Sequence, residues 1–236
     1  MHIKWDENGI RWFLDAGEYT GFHKMLAQKI IPYLLPGDTL CDAGCGLGRL
    51  DLELTEYVQS IRSIDINDDA ISVLQKDIVN LGKQNIRAEV CDASALDETY
   101  DVMLLSFFGQ SNMLDFLKNC RRRLIRVVSM ENNSTLYPSR HRNYTRDTVA
   151  SVQEELDAQG IKYSLELSAL EFGQPLRTWQ DAEQYILRNA PEAPDDEVND
   201  FLKEHLQNTG RDDFPYFLPN YKEFGIFIID KEDISK

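Results

Sequence analysis

Asp38-Thr39-Leu40-Cys41-Asp42-Ala43-Gly44-Cys45-Gly46-Leu47-Gly48-Arg49 is the stretch whose reading decides the fold. Thr39, Leu40 and Cys41 form a short apolar run of the kind that fills a parallel strand. Gly44, Gly46 and Gly48 follow at every second position. Glycine there admits a positive φ and removes the Cβ that would keep a ligand away from the backbone. Leu50, Leu52 and Leu54, with Tyr57 and Val58, then open a helical segment. The pattern predicts a buried strand, a glycine loop and a helix. A ligand over such a loop would meet free backbone N–H groups and the positive end of a helix dipole.

Spacing separates the kinds of nucleotide loop. A dinucleotide-binding dehydrogenase carries G-x-G-x-x-G, and here the third glycine position is Arg49. A phosphate-binding P-loop ends in Gly-Lys-Ser/Thr, which is absent. The pattern present, D-x-G-x-G-x-G from Asp42 to Gly48, resembles the first motif of the class I S-adenosylmethionine-dependent methyltransferases. An acid before the glycines suits that ligand, whose methionine ammonium and sulfonium are both cationic.

Working outward, Ile61-Arg62-Ser63-Ile64-Asp65-Ile66 reads as the second strand, with Asp65 lying 17 positions after Gly48. That is close to the roughly 20-residue spacing at which an acid meets a ribose hydroxyl in nucleotide-binding α/β folds. Asn67 and Asp68 suit a helix N-cap. Ala70, Ile71, Val73, Leu74, Ile78 and Leu81 give a helical apolar face that stops at Gly82. The third strand runs from Ile86 to Cys91, and Asp92 follows it where the resembled family places the acid that meets the adenine amino group. Tyr100 to Ser106 is a fourth, apolar strand, opened by Asp101 in a structural role and followed by Phe107-Phe108-Gly109. No Pro-Pro turn stands there, unlike the branch of the family that methylates nucleobase or amide nitrogen.

Leu114 to Arg122 is a short helix candidate and Leu124 to Met130 a fifth strand, ending at Glu131-Asn132-Asn133. Arg121, Arg122, Arg123 and Arg126 then read as the cationic last turn of that helix. Arg140, Arg142 and Arg146 stay open between a binding patch and scattered surface charge. Thr148 to Ala158 is a helix, Ile161 to Phe172 a sixth strand and Phe224 to Ile229 a seventh. The resembled fold pairs these last two as an antiparallel hairpin, yet residues 173–222 separate them, far more than a hairpin loop needs. That insertion holds two helical patterns, Gln180 to Arg188 and Asp196 to Gln207, and the aromatic, proline-rich stretch Phe214 to Tyr221.

The 236 residues, 42% of them hydrophobic, are ordinary for a globular α/β chain. A net charge of −15 repels phosphate backbones and anionic lipid, which argues against nucleic acid or membrane as partners. No apolar run approaches the ~20 residues of a membrane helix, and Met1 to Asp6 shows no secretory apolar region. Cys41, Cys45, Cys91 and Cys120 form no CxxC pair. The expected setting is therefore reducing and cytoplasmic, with no metal site.

The resemblance implies an α/β fold with a doubly wound, seven-stranded, mostly parallel sheet and a helical cap inserted between the last two strands. The expected organisation is an N-terminal helical cap over residues 1–37, a cofactor-binding core over 38–172 and 223–236, and a helical and aromatic insertion over 173–222, either a lid over the acceptor site or a structural insertion packed on the sheet edge. The implied reaction is methyl transfer from S-adenosyl-L-methionine, giving S-adenosyl-L-homocysteine. Its expected cofactor site comprises Asp42, Gly44, Cys45, Gly46, Gly48, Asp65, Ile66, Asp92, Ala93 and Ser106. Tyr19, Phe107, Tyr216 and Tyr221 are candidates for the acceptor pocket, and His23, Glu131, His141 and Tyr144 for a general base, with no motif selecting among them. The expected acceptor is a small molecule. A protein substrate, a non-catalytic cofactor-binding relative and a nicotinamide oxidoreductase are the alternatives, and the oligomeric state is open.

Overall fold

The computed structural model describes residues 5–109, 113–131, 135–141 and 146–233. Two helices lead the chain. In α1 (Glu7–Thr20) the Asp6 side chain caps the first turn by accepting from Gly9 N, and Gly21, at φ 66°, ends the helix. After α2 (Phe22–Ile30), strand and helix alternate: β1 (Thr39–Ala43), α3 (Arg49–Leu54), β2 (Ser60–Asp65), α4 (Asp68–Asn80), β3 (Ile86–Val90), β4 (Tyr100–Ser106), β5 (Cys120–Ser129), α5 (Val149–Ala158) and β6 (Ser164–Glu171). An insertion follows, with β7 (Gln174–Leu176), α6 (Trp179–Asn189), α7 (Asp195–His205), β8 (Gln207–Asn208) and β9 (Tyr216–Leu218). The last strand is β10 (Tyr221–Asp230).

The main sheet has seven strands in the order β3-β2-β1-β4-β5-β10-β6. β1, β2, β3, β4 and β5 are parallel, and β10 runs antiparallel to both β5 and β6. The central strands carry apolar runs, Val102 to Leu105 on β4 and Val127 and Val128 on β5, because both faces there are covered. Leu40, Val102, Leu104, Ile125 and Val127 face α2, α3 and α4. Cys41, Met103, Leu105, Leu124 and Val128 face α5 and the 3-10 turn at Met113–Asn119.

The expected helix ending at Arg122 is instead that 3-10 turn, and β5 already begins at Cys120. Arg121, Arg122 and Arg123 are therefore strand residues, not a cationic helix end. Each reaches an acid across the N-terminal edge of the sheet: Arg121 meets Asp101, Arg122 meets Asp38 and Arg123 meets Asp230. Arg126 is wholly buried and pairs with Asp147. Four arginines in six residues hide the strand's alternation, because their long stems lie along apolar neighbours on either face. Of the later arginines, Arg140 pairs with Glu197, and Arg142 lies outside the described residues.

β6 is parallel to β5, so the insertion leaves and re-enters at the carboxyl end of the sheet. It contains a second, three-stranded sheet of order β7-β9-β8, so it is not helical throughout: the Phe214 to Tyr221 stretch supplies β9. Pro215 and Pro219 flank that strand, outside its ladder, where a missing N–H does no harm. The insertion is tied to α1. Leu176, Ile186, Val198 and Leu202 pack with Trp12 and Tyr137. The Asp181 carboxylate accepts from Arg11 at 2.6 Å and from Trp12 Nε1 at 2.9 Å. Arg188 donates to both Asp6 oxygens at 2.7 Å. α2 belongs to the sheet core instead, so the chain changes allegiance at Gly21.

Candidate functional site

The glycine loop sits at the carboxyl end of β1, in the middle of the sheet. Gly44, Gly46 and Gly48 all have positive φ, at 75°, 55° and 60°, which side-chain-bearing residues adopt only with strain. Its N–H groups are not free, contrary to the expectation. Gly44 N and Cys45 N donate to the Ile64 carbonyl at 2.8 and 3.0 Å, and Gly48 N donates to Cys45 O at 2.9 Å. Gly46 N donates to Asp65 Oδ2 at 2.9 Å. The end of β2 has taken the donors that a phosphate would need. α3 spans only six residues, so its dipole adds little. The loop offers a ligand the partly exposed Asp65 carboxylate, with Asp42 buried before the glycines, which favours a cationic group over an anionic one.

Those carboxylates differ in setting. Asp42 alternates onto the face of β1 that meets α3. It is 2% exposed, and the neighbouring Asp51 is 0% exposed. Ser63 Oγ donates to Asp51 Oδ2 at 2.5 Å, while Oδ1 of each acid is buried without a hydrogen-bond partner among the described residues. Burial, then the nearby Asp51 charge, holds the Asp42 proton far more tightly than usual, and burial raises Asp51 to about 6. Two acids pressed together in an apolar core keep one proton between them. Asp65 is partly exposed, and its Oδ1 accepts from Asn67 N at 2.9 Å. Both Asp65 oxygens are thus aimed by backbone donors and keep further lone pairs for a ligand.

Around this loop lie the other expected cofactor positions. Ile66 is 46% exposed at the end of β2. Asp92 lies exposed after β3 and accepts from Ser94 N and Oγ at 2.9 and 2.8 Å, which holds its carboxyl below the usual range. Ala93 is buried beneath it, Cys45 packs on the sheet core, and Ser106 ends β4. Two aromatic rings roof the loop. A Cβ on Gly44 would lie 2.1 Å from the Phe108 ring, and one on Gly46 would lie 3.1 Å from Trp5.

Beside the loop is an aromatic wall. Phe107 follows β4 with φ 50°, the one non-glycine residue with positive φ among those described, a strain of the kind that collects at functional sites. Phe22 from α2 and Phe172 from the root of the insertion stand 4.4 Å apart by ring centroid, and Phe22 lies 6.3 Å from Phe107. The His23 ring packs among Phe13, Phe22 and Phe172. Burial first, and then the charges of Arg49 and Lys222, push its pKa down to about 3, so it stays neutral. The Lys222 ammonium sits 3.4 Å from the Phe107 centroid.

Other candidates are placed elsewhere. Tyr19 stacks on Phe217 at 5.0 Å. Tyr216 packs edge-on to Trp179 in the core of the insertion. Tyr221 is 67% exposed at the start of β10. Glu131 lies exposed just past β5. His141 Nε2 lies 2.8 Å from Glu197 Oε2 on α7, and this ties it to the insertion. Tyr144 lies outside the described residues. No three His, Cys, Asp or Glu residues converge as metal ligands among the described residues.

The family model described as a methyltransferase domain matches residues 34–190. The chain belongs to this family, the class I S-adenosylmethionine-dependent methyltransferases. Among curated relatives, it is 35% identical over 77 residues to a probable cobalt-precorrin-6B C(15)-methyltransferase (decarboxylating) of Methanobrevibacter smithii, a match covering 31% of this chain and 40% of that one. The chain spans 40 to 58% of the length of the three curated relatives it matches. Among solved structures, the YcgJ protein of Bacillus subtilis aligns with a TM-score of 0.56 at 14% identity, covering 89% of this chain and 98% of its own. The magnesium protoporphyrin IX methyltransferase of Synechocystis PCC 6803, solved with S-adenosylmethionine bound, aligns at 0.50 and 18% identity, covering 72% and 93%. These two likenesses concern the fold.

Four residues around the candidate site of this methyltransferase do not stand out in the sequence as site residues. Asp51 carried a signal, since an acid on the apolar side of a helix demands a buried partner. Phe108 was in view only as part of the turn after β4. Trp5 and Lys222 carried none, because both reach the site from distant parts of the chain.

Proposed function

We propose that this methyltransferase moves a methyl group from S-adenosylmethionine to a small-molecule acceptor held against the Phe22, Phe107 and Phe172 wall. The observation that carries the reading is the loop with its N–H groups spent within the protein and the partly exposed Asp65 carboxylate at its edge. That arrangement suits a ligand with an ammonium and a sulfonium, and it does not suit a pyrophosphate. In this reading the methionine part lies along Gly44 to Gly48, Asp65 accepts from the ribose hydroxyls, Ile66 and Ala93 flank the adenine, and Asp92 accepts from its amino group. Trp5 and Phe108 close over the loop and keep water out.

The bound sulfonium supplies an already activated methyl group. The residues of this chain then need to align donor and acceptor and to exclude water. His23, neutral among aromatic rings, exchanges a hydrogen bond with the acceptor without adding charge. Its low proton affinity makes it a positioning group and a poor base. The insertion and α1, tied together through Asp181, act as one lid over the carboxyl end of the sheet. A small acceptor is favoured by the net charge of −15 and by the names of the curated relatives, whose matches cover 31 to 42% of this chain.

Calorimetry with S-adenosylmethionine, S-adenosylhomocysteine and NAD⁺ tests the cofactor. Binding of the first two but not the third is expected, and the reverse overturns the reading. Incubation with radiolabelled S-adenosylmethionine and a metabolite extract then tests transfer: label is expected in small organic products. Label confined to added protein or RNA would move the acceptor out of the small-molecule class.

A further inference from the structure

A half-open cavity of about 150 Å³ lies where α1 meets the insertion. Trp5, Trp12 and Phe13 line it from the N-terminal segment, Phe172 from the root of the insertion and Tyr185 from α6. Two of these rings tie it to the site already described. Trp5 is the ring over Gly46, where a Cβ would lie 3.1 Å away, and Phe172 stands 4.4 Å from Phe22 in the aromatic wall. The lining rings meet one another edge to face: Trp5 and Phe13 at 5.2 Å and 89°, Trp12 and Tyr185 at 5.3 Å and 87°. Gln174, the first residue of β7, is the buried polar side chain of the lining, at 3% exposure. Its Nε2 donates to Trp12 O at 3.1 Å and to Pro175 O at 3.0 Å. Two carbonyls on that side fix the sense of the amide. Its Oε1 is then the acceptor end, and among the described residues no donor reaches it.

We propose that this cavity is a ring subsite for the acceptor, taking one flat, neutral ring that carries a hydrogen-bond donor for Gln174 Oε1, such as a phenolic hydroxyl or a ring N–H. The size argues for a single ring, since an apolar cavity of about 150 Å³ holds one benzene. The walls argue for a flat one, because aromatic faces and edges reward a guest that can stack or meet them edge-on. Gln174 argues for the donor. A buried carbonyl oxygen without a partner is costly, and a guest that brings an N–H or O–H removes that cost. A guest with acceptors alone sets lone pair against lone pair. A cationic guest meets the Arg188 guanidinium, which lies over the Trp12 ring at 5.8 Å, and an anionic one meets the negative faces of the rings. Water in such a cavity finds few partners on its walls, so a ring displaces it with a gain. The acceptor then reaches past Phe172, its reacting atom on the side of Phe22 and Phe107 and this ring under α1 and α6.

The assignment of this ring to the acceptor rests on the methyltransferase reading, whereas the ring site itself does not, so the test separates the two. The probes are phenol, anisole and cyclohexanol: a flat ring with a donor, the same ring with its hydroxyl methylated, and a donor on a puckered ring. Each is titrated into the full-length, ¹⁵N-labelled protein without S-adenosylhomocysteine, and NMR follows the indole N–H signals. Trp5 and Trp12 line the cavity, and Trp179, bonded to Glu183 at 2.9 Å, is the control. Phenol is expected to shift Trp5 and Trp12 but not Trp179, and to bind at least about 5-fold more tightly than either other probe. Gln174→Met should bring phenol down to the affinity of anisole. Gly9 also lines the cavity, and Gly9→Leu fills it from α1 with a better helix former while leaving Gln174 and its two bonds in place. That variant should lose phenol and anisole, keep S-adenosylhomocysteine affinity within about 2-fold, and transfer label from S-adenosylmethionine into the extract at least about 10-fold more slowly. Four results overturn the proposal: Trp5 and Trp12 unmoved by phenol, another probe bound as tightly as phenol by wild type, phenol bound undiminished by Gly9→Leu, or wild-type transfer by a Gly9→Leu protein that no longer binds phenol. Failure of wild type to bind S-adenosylhomocysteine, or to label anything in the extract, overturns the methyltransferase reading alone, because the probe series needs neither.

Discussion

The buried acid pair under the glycine loop makes a quantitative prediction for Asp51→Asn. Asp51 is wholly buried and Asp42 nearly so. Asparagine has the shape of aspartate, its carbonyl can accept from Ser63 Oγ in place of Asp51 Oδ2, and its amide can donate to Asp42 Oδ1, a buried atom that has no partner in wild type. Folding the wild type raises Asp51 from the ordinary value of 3.8 to about 6, with burial as the largest cause. At roughly 1.4 kcal/mol per tenfold change in proton affinity, that costs the folded state about 3 kcal/mol once Asp51 is ionised. The sign follows from proton uptake. The native state binds more protons than the unfolded chain across this window, so wild-type stability falls as pH rises from about 4 to about 6 and is level beyond it. Asp51→Asn lacks that loss. The variant should match wild type near pH 4 and exceed it by about 3 kcal/mol, to order of magnitude, near pH 8. Urea unfolding at a series of pH values measures the difference directly; groups remote from the pair cancel in it, and Asp42, whose proton the Asp51 charge helps to hold, shifts in the same direction as the loss of Asp51. A variant less stable than wild type at pH 8, with a difference independent of pH, would refute the shared-proton account and make Asp51 an ordinary buried charge.

Four further outcomes are expected. Asp65→Ala removes ribose hydrogen bonds and frees Gly46 N, so calorimetry should show S-adenosylmethionine affinity reduced by roughly 1.5–3 kcal/mol; unchanged affinity with an intact fold would remove Asp65 from the site. Gly48→Ala places a Cβ 2.3 Å from the Leu74 side chain at a φ of 60°, and thermal unfolding should report a loss of about 1–3 kcal/mol. Asp181→Ala strands Arg11 and Trp12 Nε1 without their shared acceptor; hydrogen exchange should quicken in α1 and α6 and stay slow in β1, β4 and β5. His23, neutral in the fold down to about 3, makes the unfolded chain bind more protons between there and its ordinary 6.5, so stability rises with pH across that window; unfolding of His23→Gln should lack this rise, and NMR should find the wild-type ring uncharged at about pH 5.

What was legible in the sequence was what local chemistry fixes. Asn67 caps α4 by accepting from Ala70 N, and that cap could be placed because a cap acts within three residues; the start of α5 was placed at Thr148, whose reciprocal cap with Ser151 the structure adds. β4 was bounded without error from Tyr100 to Ser106, since a strand buried on both faces is one unbroken apolar run. The start of β5 was not legible, because its side chains Arg121 to Arg123 are placed by acids 20, 84 and 107 residues away. β9 was missed because three residues have no period to read, and its partners β7 and β8 lie on either side of two helices.

The glycine loop shows a local reading that is correct in conformation and wrong in bonding. Three glycines at alternate positions do require positive φ, and all three adopt it. Conformation alone does not say which way the peptide planes face: the same torsions can present N–H groups to a phosphate or turn them into the protein. The end of β2 decides, because the Ile64 carbonyl and the Asp65 carboxylate collect three of those donors. Asp65 therefore does more than await a ribose. By occupying Gly46 N it removes one donor that an anion would need, and in the proposed reading the acid 17 residues beyond the last glycine would bear on the ligand's charge as well as its sugar. An alanine at that position should weaken S-adenosylmethionine and, by releasing a donor, improve the relative binding of inorganic phosphate; a variant that loses affinity for both would mean that the carboxylate only braces the loop.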